Sequence, residues 1–337
     1  MIAETVAWTS AVSGARAERR PVVVLESTVI AQGLPWPENL ETARAMEAAV
    51  RTVGAEPATV AVLGGILRIG LTDPQLVEVA RAAATEPGSA VPPVGGPAPA
   101  EEPVGMGPSW AKANRRDLAP ILAAGRNAAT TVSATLWVAR RFALEPLVMA
   151  TGGLGGVHRD AATSFDVSTD LDELAHADGA LVVCSGLKSI LDLAGTLEML
   201  ETRGVLLVGY RTDELPGFLV RSSRLPLEHR VDSPGDAAAI VRAHRALGLP
   251  GAIVLAQAVP EADELDPEGL RAALDDAWED ARRLGITGKP LTPFLLAAIR
   301  RATAGRSLRS NRALLIANAG LAAEVAVALM APRDRPG

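Results

Sequence analysis

The strongest constraint on this chain's fold is a repeated alternation of short apolar runs with amphipathic stretches. The runs "PVVVLEST" (21–28), "ATVAVLGG" (58–65), "ILRIG" (66–70), "PLVMATGG" (146–153), "GALVVCSG" (179–186), "VLLVGY" (205–210) and "GAIVLAQ" (251–257) read as strands. Helical periodicity covers 38–54, 130–143, 187–204, 233–248, 267–285 and a C-terminal pair after Pro293. Strands that are apolar along their whole length need cover on both faces. The pattern predicts an α/β fold, a three-layer α/β/α arrangement around a central sheet. Gly64-Gly65 joins two of the β runs as a hairpin would, so the sheet is predicted to be mixed.

Two segments stand outside this alternation. Residues 1–20 read as a poorly ordered N-terminal extension. The segment "EPGSAVPPVGGPAPAEEPVGMGPS" (86–109) is too rich in Pro and Gly to join a core and reads as a surface insertion. The pattern on either side of it looks continuous, which predicts one domain over 21–330. A net charge of −6 disfavours general nucleic-acid binding. No apolar run is read as long enough to span a membrane, and the N-terminus lacks a signal-peptide pattern. The single cysteine, Cys184, excludes an intramolecular disulfide framework. A cytoplasmic protein is the expectation.

Only three of the 33 basic residues are lysine: Lys112, Lys188 and Lys289. Where arginine is used so heavily, a remaining lysine draws interest, because an amine can lose its proton and attack a carbonyl whereas a guanidinium stays charged. Lys188 follows the run "GALVVCSG" directly and is read near the start of the 187–204 helix, beside Leu187 and Ile190. A positive dipole end and apolar neighbours both disfavour the ammonium there and favour a nucleophilic amine. The alternative, a surface lysine reaching water, ranks second in so lysine-poor a chain.

In sheets of this kind ligands gather beyond the carboxyl ends of strands. Glu26, at the end of the first run in "LEST", is either a capping or salt-bridged glutamate or an acid–base group. "ATGGLGGVHRD" lacks the spacing of a dinucleotide fingerprint, yet its backbone can still face a phosphate with His158 and Arg159 close by. Asp166, Asp170, Asp172 and Glu173 crowd one stretch. Three of them can simply charge a helix start, whereas Asp166, just ahead of it, suits a divalent metal. Lys112, Arg115 and Arg116 form a cationic cluster fit for a phosphate, with a solvated charged face as the alternative. Lys289 looks less committed. Asn311 and Asn318, seven apart in a helical context, share a face and either cap backbone or touch a ligand. Together these residues outline a phosphate-handling α/β enzyme with an amine nucleophile.

The segments "LESTVIAQGLPWPENLETA", "AATTVSAT", "ATGGLGGVHRDAATSFDVSTDLDELA", "CSGLKSILDLAGTLEMLETRGV", "VGYRTDELPGF" and "GKPLTPFLL" resemble, in order, the pseudouridine-5′-phosphate glycosidase family, also called indigoidine synthase A-like. The resemblance spans about 21–330. It implies reversible cleavage of the C–C glycosidic bond of pseudouridine 5′-phosphate to uracil and ribose 5-phosphate through a lysine–sugar imine. It further implies Lys188 as nucleophile, Glu26 as proton donor and Asp166 as ligand of one Mn²⁺. Lys112, Val132, His158, Ser168, Thr169, Asp170 and Asn311 become substrate-site positions. A homotrimer is expected on the same ground. A Schiff-base lyase acting on another sugar phosphate, or a non-catalytic phosphosugar-binding protein, are the readings that compete. "STD" at 168–170 departs from the family's usual "SAD", and the 86–109 insertion is long for it.

Because loop length costs little entropy, removing most of 86–109 is expected to leave the thermal unfolding midpoint nearly unchanged. A large drop, or aggregation of the shortened protein, would mark the insertion as packed.

Overall fold

The computed structural model describes residues 5–85, 110–288 and 290–331; the 86–109 insertion and Lys289 lie outside the described residues. Among the described residues, eleven strands join in one hydrogen-bonded sheet. They are β1 (Val6–Trp8), β2 (Val22–Leu25), β3 (Glu56–Leu63), β4 (Ile66–Ile69), β5 (Trp110–Ala113) and β6 (Asn127–Thr130), followed by β7 (Val148–Ala150), β8 (Leu181–Cys184), β9 (Leu206–Tyr210), β10 (Arg230–Val231) and β11 (Ile253–Gln257). The main path runs β1-β4-β3-β2-β7-β8-β11-β9-β10, with β6 on β3 and β5 on β6.

From β2 through β7, β8 and β11 to β9 every pairing is parallel. Every residue of β2, β7 and β8 is buried, as strands covered by helices on both faces must be. The mixed character comes from β3. Its first half pairs in parallel with β2, while its second half pairs antiparallel with β4 on one side and β6 on the other. The hairpin to β4 turns through Gly64 and Gly65, both at positive φ (57° and 73°), as a tight two-residue turn requires.

Helix Arg306–Met330 packs against β2, β7 and β8 and against helix Glu38–Thr52. At 25 residues it is long and apolar enough, by length and composition, to cross a membrane, which corrects the expectation that no run reaches that length; half of its most apolar window is buried inside the fold. Leu314, Leu315, Ala319 and Ala322 on this helix are fully buried, so it acts here as a core helix.

Three further expectations change. Of the N-terminal extension, the described residues from 5 onward join the fold: β1 pairs in parallel with β4, and helix Ser10–Ala17 buries Val12 and Ala15 completely. Trp8 meets Phe142 edge-on at 5.9 Å, and the Arg16 guanidinium lies 4.5 Å above the Trp8 ring. Asn127–Thr130 is strand, and the helix read from residue 130 starts at Val132. The helix read over 187–204 spans only Leu193–Thr202; Asp192 caps it, its carboxylate accepting from the Gly195 N–H at 2.9 Å. Lys188 therefore lies in a loop, and the dipole argument for it falls.

Deleting residues 1–17 should cost at least about 2 kcal/mol of stability, since it removes a paired strand and exposes surface that Val12 covers. Denaturant unfolding with an unchanged midpoint would show the segment to be dispensable.

Candidate active site

The carboxyl ends of β2, β5, β6, β7 and β8 open into a cleft of about 640 Å³. Its lining includes Glu26, Lys112, Val132, His158, Asp166 and Lys188. Ser168, Thr169 and Asp170 complete the wall, so nine of the ten candidate positions face one space. Asn311 does not line it: its side-chain oxygen lies 3.5 Å from where a Cβ on Gly152 would stand, behind the end of β7.

Lys188 is held by backbone geometry. Gly186, at φ 81°, turns the chain out of β8, and a Cβ there would lie 2.2 Å from the Pro216 carbonyl oxygen. Only glycine tolerates both conditions. The Lys188 N–H then donates to the Leu154 carbonyl at 3.1 Å, the Ser189 hydroxyl to the Gly217 carbonyl at 2.9 Å, and the Trp278 indole N–H to the Ile190 carbonyl at 3.1 Å. The Trp278 ring also meets His158 edge-on at 6.4 Å. One tryptophan thus braces both the lysine loop and the histidine loop.

Glu26 is 6% exposed. One of its carboxylate oxygens accepts from the Thr28 hydroxyl and the other from the Thr151 hydroxyl. Directly after Thr151, the glycines of 152–156 allow close approach: a Cβ on Gly155 would sit 2.3 Å from the Ser168 hydroxyl. Asp170, buried, fastens two loops at once by accepting from the Gly155 N–H and the Ser133 N–H, each at 3.1 Å. The Ser168 hydroxyl caps helix Thr169–Ala175. Thr131, Ser133 and Thr169 line up their hydroxyls at 3.1 Å spacing, and Thr131 donates to Asn114 at 3.0 Å.

Helix Val132–Arg141 begins at the cleft wall, and Thr131 at its N-cap provides no side-chain cap. Lys112 and Arg116 stand on the same wall, which makes this end of the cleft a place for an anion. Arg115 is not part of it. Its guanidinium is spent on Asp172 at 2.9 Å and on the fully buried Glu173 at 2.7 Å, and Arg140 joins at Glu173. The acidic stretch read as one crowd thus splits: Asp172 and Glu173 are structural ion-pair partners, whereas Asp166 faces the cleft.

Among the described residues no group of three or more His, Cys, Asp or Glu side chains converges to hold a metal. Asp166, with its side chain 31% exposed, offers one hard oxygen donor instead. A single carboxylate completed by water and substrate oxygens fits Mn²⁺ or Mg²⁺, not zinc. His158 is 8% exposed, its Nε2 lies 4.0 Å from Asp166, and its Nδ1 is buried with no partner. Burial pushes this imidazole below its ordinary value, Asp166 and Asp160 pull it back up, and Lys188 and Lys112 push it down again.

The family model described as "Indigoidine synthase A like protein" matches residues 11–89 and 100–328. The chain belongs to the indigoidine synthase A-like family. Among its relatives is a pseudouridine-5′-phosphate glycosidase of Caldanaerobacter subterraneus subsp. tengcongensis, 45% identical over 94% of each chain. A pseudouridine-5′-phosphate glycosidase of Streptomyces griseus is 48% identical over 91% of this chain and 87% of its own. Two solved structures of the same architecture each match over 97% of both chains. One is an indigoidine synthase A-like protein from Thermotoga maritima (TM-score 0.80, 32% identity) and the other the prealnumycin C-glycosynthase AlnA in complex with ribulose 5-phosphate (TM-score 0.81, 36% identity). The mixed sheet described above is therefore the indigoidine synthase A-like sheet.

Thr28, Thr151 and Trp278 escaped the sequence reading. The two threonines flank strand ends in "LEST" and "MATGG", a visible signal, but nothing in the sequence says they converge on Glu26.

Cys184 ends β8, is fully buried, and burial pushes its thiol up to about 12. It should resist a thiol reagent at pH 8 in the native protein and react once the protein is unfolded; rapid native-state labelling would contradict this packing.

Proposed function

We propose that this protein is a pseudouridine-5′-phosphate glycosidase, cleaving the C–C bond between ribose C1′ and uracil. The observation that carries the reading is a cleft uniting Lys188, the buried Glu26 and a wall that carries Lys112 and Arg116 beside a helix start. That cleft sits in a chain 45% identical to a glycosidase of this name over 94% of its length. A C–C bond has no heteroatom to leave on, so a nitrogen nucleophile suits it better than a carboxylate pair.

In this reading the phosphate of the substrate sits at the start of helix Val132–Arg141, against Lys112 and Arg116. The hydroxyls of Ser168 and Thr169 lie along the same wall. Lys188, as a neutral amine, bonds to C1′ as the C1′–O4′ bond of the ribose ring breaks. The freed ring oxygen takes up a proton and the attached nitrogen loses one, with Glu26 as proton donor. When the C1′–uracil bond breaks, its electron pair goes to the uracil carbon, which takes up a proton. The lysine nitrogen's pair forms the C1′=N imine, and water then releases ribose 5-phosphate and frees Lys188. Asp166 would hold Mn²⁺, which would supply positive charge to substrate oxygens. A homotrimer and a cytoplasmic location belong to the same proposal.

Incubating the protein with Mn²⁺, uracil and ribose 5-phosphate tests the reading directly. Mass spectrometry should find the joined nucleotide, resistant to acid as a C-glycoside. No product from folded, metal-supplied protein would turn attention to a different acceptor, the class to which the C-glycosynthase neighbour belongs. Lys188→Ala should lower turnover by at least 10³-fold, on the order expected for loss of a covalent nucleophile. Asp166→Ala should raise the Mn²⁺ concentration needed for half-maximal activity at least tenfold; an unchanged titration would remove Asp166 as the ligand.

A further inference from the structure

Asn318 was prominent in the sequence and lies outside the cleft, yet it is fully buried and entirely committed. Its amide N–H donates to the Thr151 carbonyl at 2.9 Å and to the Ser185 hydroxyl at 3.1 Å. Its amide oxygen accepts from Gln257 at 3.3 Å. Thr151 is the first residue after β7 and Ser185 the first after β8, so one side chain ties the departures of two neighbouring strands. Beyond that tie the two chains run on together. The Ser185 N–H donates to the Gly152 carbonyl at 2.8 Å, and the Leu154 N–H to the Gly186 carbonyl at 3.0 Å. The pair of segments ends where the Lys188 N–H meets the Leu154 carbonyl.

Thr151 also donates its hydroxyl to one oxygen of Glu26. The other Glu26 oxygen takes the hydroxyl of Thr28, which lines the cleft while Thr151 does not. The two carboxylate oxygens are thus unequal: one is pinned from the core side, the other is presented to the substrate space.

We propose that Thr151, seated by Asn318, is the positioning residue that fixes the Glu26 carboxyl relative to Lys188, with Thr28 steadying the cleft-facing oxygen. The inference rests on the proposed glycosidase reading. Its physical content is that acid and nucleophile follow different strand ends, and that the chain Glu26–Thr151–Asn318–Ser185 is a polar linkage that ties the acid into the backbone pairing of those ends. Losing it lets the carboxyl rotate away from a substrate already bound and already attached to lysine. Proton transfer suffers and binding does not.

The test is Thr151→Val, nearly isosteric but without the hydroxyl, with Thr151→Ser as the conservative rescue. Steady-state cleavage of pseudouridine 5′-phosphate should show kcat lowered about 10- to 100-fold and KM within about threefold. Borohydride trapping of ribose 5-phosphate on Lys188 should persist in the valine variant, and serine should restore most of kcat. An active wild type with valine kcat within twofold, or a valine variant that loses trapping in parallel with kcat, overturns the assignment. If the valine variant does not fold by circular dichroism, Thr28→Val carries the same criteria. A wild type that does not cleave pseudouridine 5′-phosphate overturns the functional reading and the assignment with it.

Discussion

Burying five parallel strands on both faces is the constraint on which the rest of this structure depends. The interior of β2, β7 and β8 offers no polar side chain and no exposed edge, so chemistry is displaced to the residues where each strand stops. Glu26, Thr151 and Ser185 all lie one residue past a strand end. The segments leaving β7 and β8 run on together, and helix Arg306–Met330 packs behind them with Leu314, Leu315 and the amides of Asn311 and Asn318.

The wall built from residues 152–156 and 168–170, whose Leu154 pairs with the Lys188 segment, obeys a different rule. There the backbone itself is the recognising surface, and glycine, serine and threonine are used to bring main chain to main chain. Asp170 shows how this is stabilised: a buried carboxylate taking two backbone N–H donors ties the loop after β7 to the start of helix Val132–Arg141. Buried charge is tolerable only with such partners. Glu173, with two arginines, uses the same solution one helical turn later.

Much of the fold was legible because apolar strands and amphipathic helices carry strong periodic signals. The central strands appeared in the right places, although β2, β7 and β8 span only three or four of the eight residues read for each. What failed did so for identifiable reasons. Lys188 was placed in a helix because Leu187, Ile190 and Leu191 fit helical spacing, although Asp192, a better cap, marked the true start. β1 and β5, three and four residues long, lie outside the longer apolar runs that marked β2, β7 and β8, and they exist through pairing with β4 and β6. In the cleft, residues with unusual chemistry were visible by type. Their supports, Thr28, Thr151 and Trp278, were not, since a threonine or tryptophan becomes specific only through the partner that tertiary structure brings to it.

The sheet's margins have a bearing on how the protein behaves in company. Its described margins fall on β1, three residues long, β5, four, and β10, two. A wide sheet with long bare margins would present a row of unpaired amides and carbonyls to any strand passing by, including its own copies. Here each margin is almost too brief to be copied. The modest N-terminal strand thereby acts as a selvedge, the finished border that keeps a woven cloth from joining to the next piece.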